Sequence, residues 1–315
     1  FITIIFMFLM YCYIDIKKQN VRTLSFCVFY AVIFLALIKV SIFLISAVTK
    51  MPVVYYIDNI SYFFGVKLMT LDVSESSIGR INFISDYIIP YMVFFMLKHG
   101  KQYARSNMLL YCSVGLLVIS AFASFSRFIW GISILCVVFA VFSSSIKKNI
   151  YVFLIAISFI PFFLISDVYD AFTLRFSSQQ INSSDGARSE QFNNLNEHFF
   201  DEPILGHGLG YYIKGFVRSS DAMYSYELQF NALLMQVGII GVALLLGVLG
   251  YMSIRHYQKL PSLMEKFIYF SLYFTWLCAG FFNPVLFSSA GGVIFSFFIL
   301  YPVCIQTSRD FYYAS

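Results

Sequence analysis

Charged residues are scarce in this sequence, and their scarcity excludes an ordinary soluble domain. They make up 12% of the 315 residues, whereas soluble domains carry about 25%. The six cysteines form no C-x-x-C pair and show no other metal-ligand spacing, which excludes a zinc finger or ribbon. No secretory cleavage site follows the apolar start at Phe1. Hydrophobic residues make up 60% of the chain, so a membrane domain is the first expectation.

Apolar runs long enough to cross a bilayer recur along the chain. A spanning helix needs about 20 apolar residues. The runs predict an all-α polytopic membrane protein with about nine transmembrane helices. The first run is already apolar at Phe1, so we expect one or more further spans before it. The predicted spans are residues 1–15, 24–47, 82–97, 107–125, 128–145, 149–166, 226–254, 267–282 and 285–305.

The charges between these spans predict the topology. One set of connections holds twelve basic and three acidic residues, and the other holds eight basic and thirteen acidic residues. Basic connections face the cytoplasm, so the net charge of +5 reflects topology and no nucleic-acid partner is expected. The chain then divides into helices 1–6 (1–166), a large outward loop (167–225), and helices 7–9 with a cytoplasmic tail (226–315).

The outward loop 167–225 contains a helical pattern over about 186–200. Serines and an aspartate before it offer an N-cap. Arg188 continues an apolar face, either as a cation that snorkels to lipid phosphate or as a phosphate ligand inside a cavity. The other residues of this face are Phe192, Leu195 and Phe199.

A proline and three glycines follow this helix. Pro203 ends it, and Gly206, Gly208 and Gly210 permit backbone with positive φ. The GKS/T of a P-loop is missing, so nucleotide binding of that kind is excluded. A loop that cradles phosphate and a tight turn against the bilayer both fit the pattern.

Two charged residues stand where outward connections meet spans. Arg127 begins a span between Phe125 and Phe128, and Glu227 lies where the long loop returns to the membrane. A charge there is costly unless it is paired or functional. Arg127 either snorkels or joins other outward arginines as a phosphate ligand. Glu227 either caps the next helix or takes part in chemistry.

Four short stretches occur here in an order known from one protein family. They are Ser126-Arg127, then Asp185-Gly186-Ala187-Arg188-Ser189, then Pro203 to Gly210, and finally Glu227 with Asn231 leading to Gly238-Ile239-Ile240-Gly241. Over roughly residues 120–245, the chain thereby resembles the superfamily of O-antigen polymerases (Wzy) and O-antigen ligases (WaaL). Ligases typically have a histidine where Glu227 stands, so this departure favours a polymerase.

The resemblance implies a metal-independent glycosyltransferase of the GT-C type with no cofactor. It would join undecaprenyl-diphosphate-linked oligosaccharides in the bacterial inner (cytoplasmic) membrane, with its active site facing the periplasm. A chain-length regulator protein is a further expected partner. The alternatives are an O-antigen ligase, a flippase or other transporter of lipid-linked oligosaccharides, and a non-catalytic scaffold. A transporter would be expected to show internal repeats, and none is clear here.

The expected roles follow from the chemistry of diphosphate departure. Arg127 and Arg188 would neutralise the leaving diphosphate, and Glu227 would be the base for the acceptor hydroxyl, with His207 as the second candidate. No metal-binding residues are expected. The expected substrate-binding residues are Arg218, His207, Tyr211, Tyr212 and Tyr226.

Overall fold

Helices account for most of the described structure, a computed structural model of the chain. The expectation of an all-α fold is confirmed for these residues, apart from one antiparallel pair of two-residue strands. The chain forms two units, Lys17–Gln180 and Phe1–Ile16 with Ile181–Ser315. The described residues are 21–64, 70–71, 80–100, 106–143, 176–217 and 222–313, with isolated positions at 3, 7, 9, 11, 12, 169, 172 and 173.

The described part of the unit Lys17–Gln180 contains five helices, of which α3 packs on α4 and α5, and α1 packs on α2 and α4. A short 3₁₀ helix leads directly into α3. The elements are α1 (Val21–Thr49), α2 (Val53–Phe64), β1 (Thr70–Leu71), β2 (Arg80–Ile81), the 3₁₀ helix (Ile84–Ile88), α3 (Ile89–His99), α4 (Asn107–Phe122) and α5 (Arg127–Phe142).

A buried ion pair joins α1 to the 3₁₀ helix. The Nζ of Lys39 lies 2.6 Å from Oδ2 of Asp86, and both side chains are almost fully buried. The same carboxylate oxygen accepts a hydrogen bond from the backbone N–H of Phe83 at 2.9 Å. Because a charge buried among apolar helices is costly alone, each residue of the pair depends on the other.

A tight turn between α4 and α5 positions Arg127. Phe125 adopts a positive φ of 43° and is fully buried. The hydroxyl of Ser126 then caps α5 by accepting the N–H of Ile129 at 3.5 Å. Arg127 follows this cap as the first residue of the helix, as the sequence predicts.

From Ser178 onward, the described residues of the second unit form four helices and the connection between the first two of them. Helix α7 packs on α8 and α9, and α8 packs on α9. The first helix begins at Ser178, so the predicted helix of residues 186–200 is longer than expected by about two turns at its N-terminus. The four helices are α6 (Ser178–Asp201), α7 (Gln229–Tyr257), α8 (Leu263–Ala279) and α9 (Ser289–Tyr313).

Two of the described helices are long and apolar enough to cross a membrane. They are α1, over Phe26–Thr49, and α7, over Gln229–Tyr257. Three shorter helical segments are also apolar, namely Asn107–Phe122, Arg127–Phe142 and Ser289–Val303. The predicted span at 149–166 lies outside the described residues, as does most of the predicted span at 1–15. The count of nine spans therefore stays a prediction.

Candidate functional site

The helix of the long loop, α6, packs on the segment that enters α7. Leu195 of α6 is fully buried in a cluster with Ile213, Tyr226, Leu228 and Met235. Phe199 packs against the same cluster, whereas Phe192 is about half exposed. The predicted apolar face of this helix is therefore only partly buried, and its buried end fixes the position of the α7 entrance.

A buried amide completes this contact. Gln191 has no exposed surface, and its Oε1 accepts the backbone N–H groups of Glu227 at 3.0 Å and of Leu228 at 3.5 Å. Asn231, in the first turn of α7, donates a second bond to Oδ1 of Asn196 at 3.0 Å. Buried backbone donors need such acceptors, so Gln191 holds Glu227 at a set place beside α6.

Arg188 and Glu227 meet at this place. The Nε of Arg188 lies 3.7 Å from Oε2 of Glu227, and its Nη1 lies 3.4 Å from Oδ1 of Asp185. The side chains of Arg188 and Glu227 are 28% and 36% exposed. The Nε of Arg188 is itself buried and has no hydrogen-bond acceptor in range among the described residues. Glu227 does not cap α7, because the N-cap residue is Leu228.

The glycine segment after α6 is bonded to a break in α7. At Gly238 the backbone of α7 leaves the helical conformation, with a φ of 63°. The segment 203–208 supplies partners for the polar groups that this break leaves unpaired. His207 N–H bonds to the Met235 carbonyl, Gly208 N–H to the Gln236 carbonyl, Ile239 N–H to the Pro203 carbonyl and Ile240 N–H to the Ile204 carbonyl.

Two glycines are required where these chains cross. A Cβ on Gly238 would lie 2.2 Å from the carbonyl oxygen of Ile204, and a Cβ on Gly206 would lie 2.5 Å from the backbone N of Gly238. Both residues also have positive φ. Of the two sequence interpretations of the glycine pattern, a tight turn is the one that accounts for these contacts.

A polar cluster lies at the C-terminal end of α6. The Nε2 of His207 is 2.7 Å from the carbonyl oxygen of His198, and the His207 ring stacks on Tyr211 with 4.3 Å between centroids. The Tyr211 hydroxyl bonds to Nδ1 of His198 at 3.2 Å. Asp201, which is exposed, has its Oδ2 3.9 Å from the same nitrogen. The predicted substrate residues His207 and Tyr211 are thus adjacent.

Tyr226 and Tyr212 are the other two tyrosines that were expected to bind substrate. Tyr226 is 2% exposed, and its hydroxyl accepts the N–H of Ile213 and donates to the carbonyl of Phe216. Burial raises the pKa of the Tyr226 hydroxyl, so it stays a donor. The ring is enclosed in this structure, and its expected role as a substrate contact stays a prediction. Tyr212 is half-buried.

The structure does not place the other two expected arginines, Arg127 and Arg218, next to Arg188. Arg218 lies outside the described residues. Arg127 belongs to the unit Lys17–Gln180, whereas Arg188 belongs to the other unit. Arg127 is half-buried and forms no ion pair with any residue in the part of the chain that the structure describes. The convergence of the three arginines therefore stays a prediction.

Sequence reasoning missed Gln191, Asn196 and His198. Gln191 and Asn196 are polar residues of a mostly polar helix, so the sequence gives no reason to expect them to be buried. Only their contacts at the start of α7 distinguish them from solvent-exposed residues. His198 and Asp201 are three residues apart on α6, and His207 follows six residues later. That spacing is a signal for shared ligands that the sequence interpretation passed over.

Comparison with known proteins yields no relative. No protein-family model matches the chain, and neither does any curated protein or solved structure. The resemblance to the polymerase and ligase superfamily therefore rests on the sequence motifs alone and stays a prediction.

Proposed function

We propose that this chain is an O-antigen polymerase of the Wzy type, a membrane glycosyltransferase that joins undecaprenyl-diphosphate-linked oligosaccharide repeat units. The observation that carries the proposal is the pairing of Arg188 with Glu227 at the entrance to α7. Both residues were expected in the site from the sequence, and a buried glutamine holds their backbones together. The proposed location is the bacterial inner membrane, with the site facing the periplasm.

The weakness of the ion pair suits exchange with a substrate. At 3.7 Å, with both side chains partly exposed, it contributes little to stability. The oxygens of a lipid diphosphate can accept bidentate, charge-assisted hydrogen bonds from a guanidinium, and the 3.7 Å pair with Glu227 has no such geometry. The buried Nε of Arg188, which has no acceptor among the described residues, is a donor that such an oxygen would satisfy.

The exchange of partners would prepare both groups for glycosyl transfer. Arg188 would bind the diphosphate and neutralise the negative charge that develops as it departs. Glu227 would be released from Arg188 and would accept the proton of the attacking sugar hydroxyl. The new glycosidic bond forms as the bond to the diphosphate breaks, and undecaprenyl diphosphate leaves. In this proposal the arginines supply the charge neutralisation, and Arg127 is the second of them.

The membrane assignment is supported by the two long apolar helices. Helix α7 is one of them, and Glu227 precedes its first residue by two positions. A site at the end of a spanning helix can reach the headgroup of a lipid-linked substrate while its apolar tail stays in the bilayer. The GT-C assignment and the count of nine spans belong to this proposal as well.

A deletion strain tests the proposal and separates it from the alternatives. We expect cells without this protein to make lipopolysaccharide that carries a single repeat unit, and complementation to restore long chains. Complete loss of O-antigen from lipopolysaccharide would indicate a ligase or a flippase instead. Accumulation of unpolymerised repeat unit on the cytoplasmic side would indicate the flippase, and unchanged lipopolysaccharide would refute all three.

A further inference from the structure

Three side chains with metal-binding atoms converge at the end of α6. They belong to His198, Asp201 and His207, and one ligand atom from each lies within 4.8 Å of the other two. Nδ1 of His198 and Oδ2 of Asp201 are 3.9 Å apart. Within the described ranges, it is the one group of three or more such side chains. Two imidazoles and a carboxylate form a donor set that suits zinc and similar divalent ions.

The hydrogen bond of His207 selects the nitrogen that would bind a metal. Its Nε2 lies 2.7 Å from the carbonyl oxygen of His198. A carbonyl oxygen only accepts, so Nε2 carries the hydrogen and Nδ1 of the neutral ring holds a free electron pair. Histidine ligands in metal sites characteristically donate their other N–H to a carbonyl or carboxylate in this way. The stacked ring of Tyr211 fixes the orientation of the imidazole.

We propose that His198, Asp201 and His207 form a binding site for a divalent transition-metal ion such as Zn²⁺. Ligand atoms of a tetrahedral zinc site lie about 3.3 Å apart, given bonds of about 2.0 Å. Nδ1 of His198 and Oδ2 of Asp201 are 3.9 Å apart and all three ligand atoms lie within 4.8 Å of one another, so the side chains would have to move closer to hold an ion. The exposed carboxylate of Asp201 can rotate inward, and the Tyr211 hydroxyl must leave Nδ1 of His198. Water would occupy the fourth position.

A metal ion at this site would link two segments of the chain that are joined otherwise by a short turn. His198 and Asp201 belong to the last turn of α6, whereas His207 lies in the segment bonded to the break in α7. A bound ion would therefore stabilise the connection between the loop helix and the broken helix. The role inferred for the ion is structural, and the charge neutralisation and proton transfer proposed for Arg188, Arg127 and Glu227 do not require it.

Metal binding by the purified protein tests the inference without any activity assay. The full-length protein in detergent, stripped with a chelator, should bind one Zn²⁺ per chain by calorimetry, and Zn²⁺ should raise its melting temperature. His207→Gln and Asp201→Asn should each weaken binding about tenfold or more. Glu202→Gln is the matched control, because it removes the neighbouring exposed carboxylate and leaves the three ligands intact. It should bind Zn²⁺ like the wild type.

A second variant keeps the test decisive if a ligand variant fails to fold. Tyr211→Phe preserves the ring on His207 but removes the hydroxyl that competes for Nδ1 of His198. It should bind Zn²⁺ at least as tightly as the wild type, and Co²⁺ should give the absorption of a four-coordinate site in both. Absence of stoichiometric Zn²⁺ binding in the wild type would overturn the inference. So would binding that is equally tight in folded His207→Gln, or equally weakened in Glu202→Gln.

Discussion

The Nε of Arg188 lies 3.7 Å from Oε2 of Glu227, and one turn further along α6 the side chain of Gln191 accepts the backbone N–H of that same glutamate. The two contacts have different strengths. The ion pair is long and partly exposed, whereas the amide contact is short and buried. The backbone of Glu227 is therefore held by a short buried contact, whereas the contact of its carboxylate with Arg188 is longer and partly exposed.

If the proposed function is right, loss of Arg127 or of Arg188 should abolish polymerisation. Arg188→Ala and Arg127→Ala each remove a charge that would stabilise the departing diphosphate, with an expected loss of about a hundredfold in rate. Arg127→Lys and Arg188→Lys keep the charge but lose the bidentate geometry. The measurement is the chain-length ladder of lipopolysaccharide after complementation, at matched membrane expression. Near-normal ladders in the lysine variants would contradict bidentate diphosphate binding.

Glu227→Gln should stop turnover without preventing substrate binding. The amide keeps the shape of the side chain but lacks a basic oxygen, so we expect turnover of purified lipid-linked repeat unit to fall at least about a hundredfold. Glu190→Gln is the control, because it removes an exposed carboxylate elsewhere on α6. Wild-type turnover in Glu227→Gln would remove Glu227 from the mechanism and direct attention to His207.

Replacing Gln191 should destabilise the contact between α6 and α7. Gln191→Leu leaves the backbone N–H groups of Glu227 and Leu228 without their acceptor, at an expected cost of about 1–3 kcal/mol. The measurement is thermal unfolding in detergent. Asn193→Leu, at an exposed position of the same helix, should change the melting temperature little. Equal melting temperatures for the two variants would show that the amide contact contributes nothing.

A methyl group at Gly238 should be far more damaging than one at Gly247. In Gly238→Ala the new Cβ would lie 2.2 Å from the Ile204 carbonyl oxygen, at a positive φ. Gly247→Ala places its Cβ in open space in the same helix, and alanine is the better helix former by about 1 kcal/mol. Thermal unfolding of both variants checks this. A normal melting temperature for Gly238→Ala would mean that residues 203–208 do not pack against α7 at Gly238.

The buried pair of Lys39 and Asp86 should show strong coupling. Lys39→Met leaves a buried carboxylate without its cation, at an expected cost of about 3–5 kcal/mol. Adding Asp86→Asn removes that charge while keeping an oxygen that can accept the N–H of Phe83. The double variant should therefore be more stable than Lys39→Met alone. Additive losses in this double-mutant cycle would mean that the pair is not coupled.

The sequence indicated some residues of the site and missed others for physical reasons. Arg188 and Glu227 were conspicuous because a charge on an apolar helix face or at the entrance to a span is costly. Gln191 was not, because a neutral amide on a polar helix looks solvated until its partner is known. The glycine pattern indicated a turn, but it did not indicate that this turn packs against Gly238, some thirty residues later in α7. Such pairing depends on tertiary contacts that no local pattern contains.

The beginning of α6 illustrates a second limit. Ser183, Ser184 and Asp185 resemble an N-cap, yet they lie inside the helix, which begins at Ser178. Capping residues are only weakly unfavourable inside a helix, so tertiary contacts override them. The longer helix places Ile181 within it, ahead of the polar stretch that the sequence interpretation took as its start.

The bonds between residues 203–208 and 235–240 also restrict where this sequence can gain or lose residues. Each bond matches one position of the first segment to one position of the second. A single inserted residue in either segment would shift the register and place a side chain where only glycine fits. Natural variants of this chain should therefore keep both paired segments free of insertions and deletions.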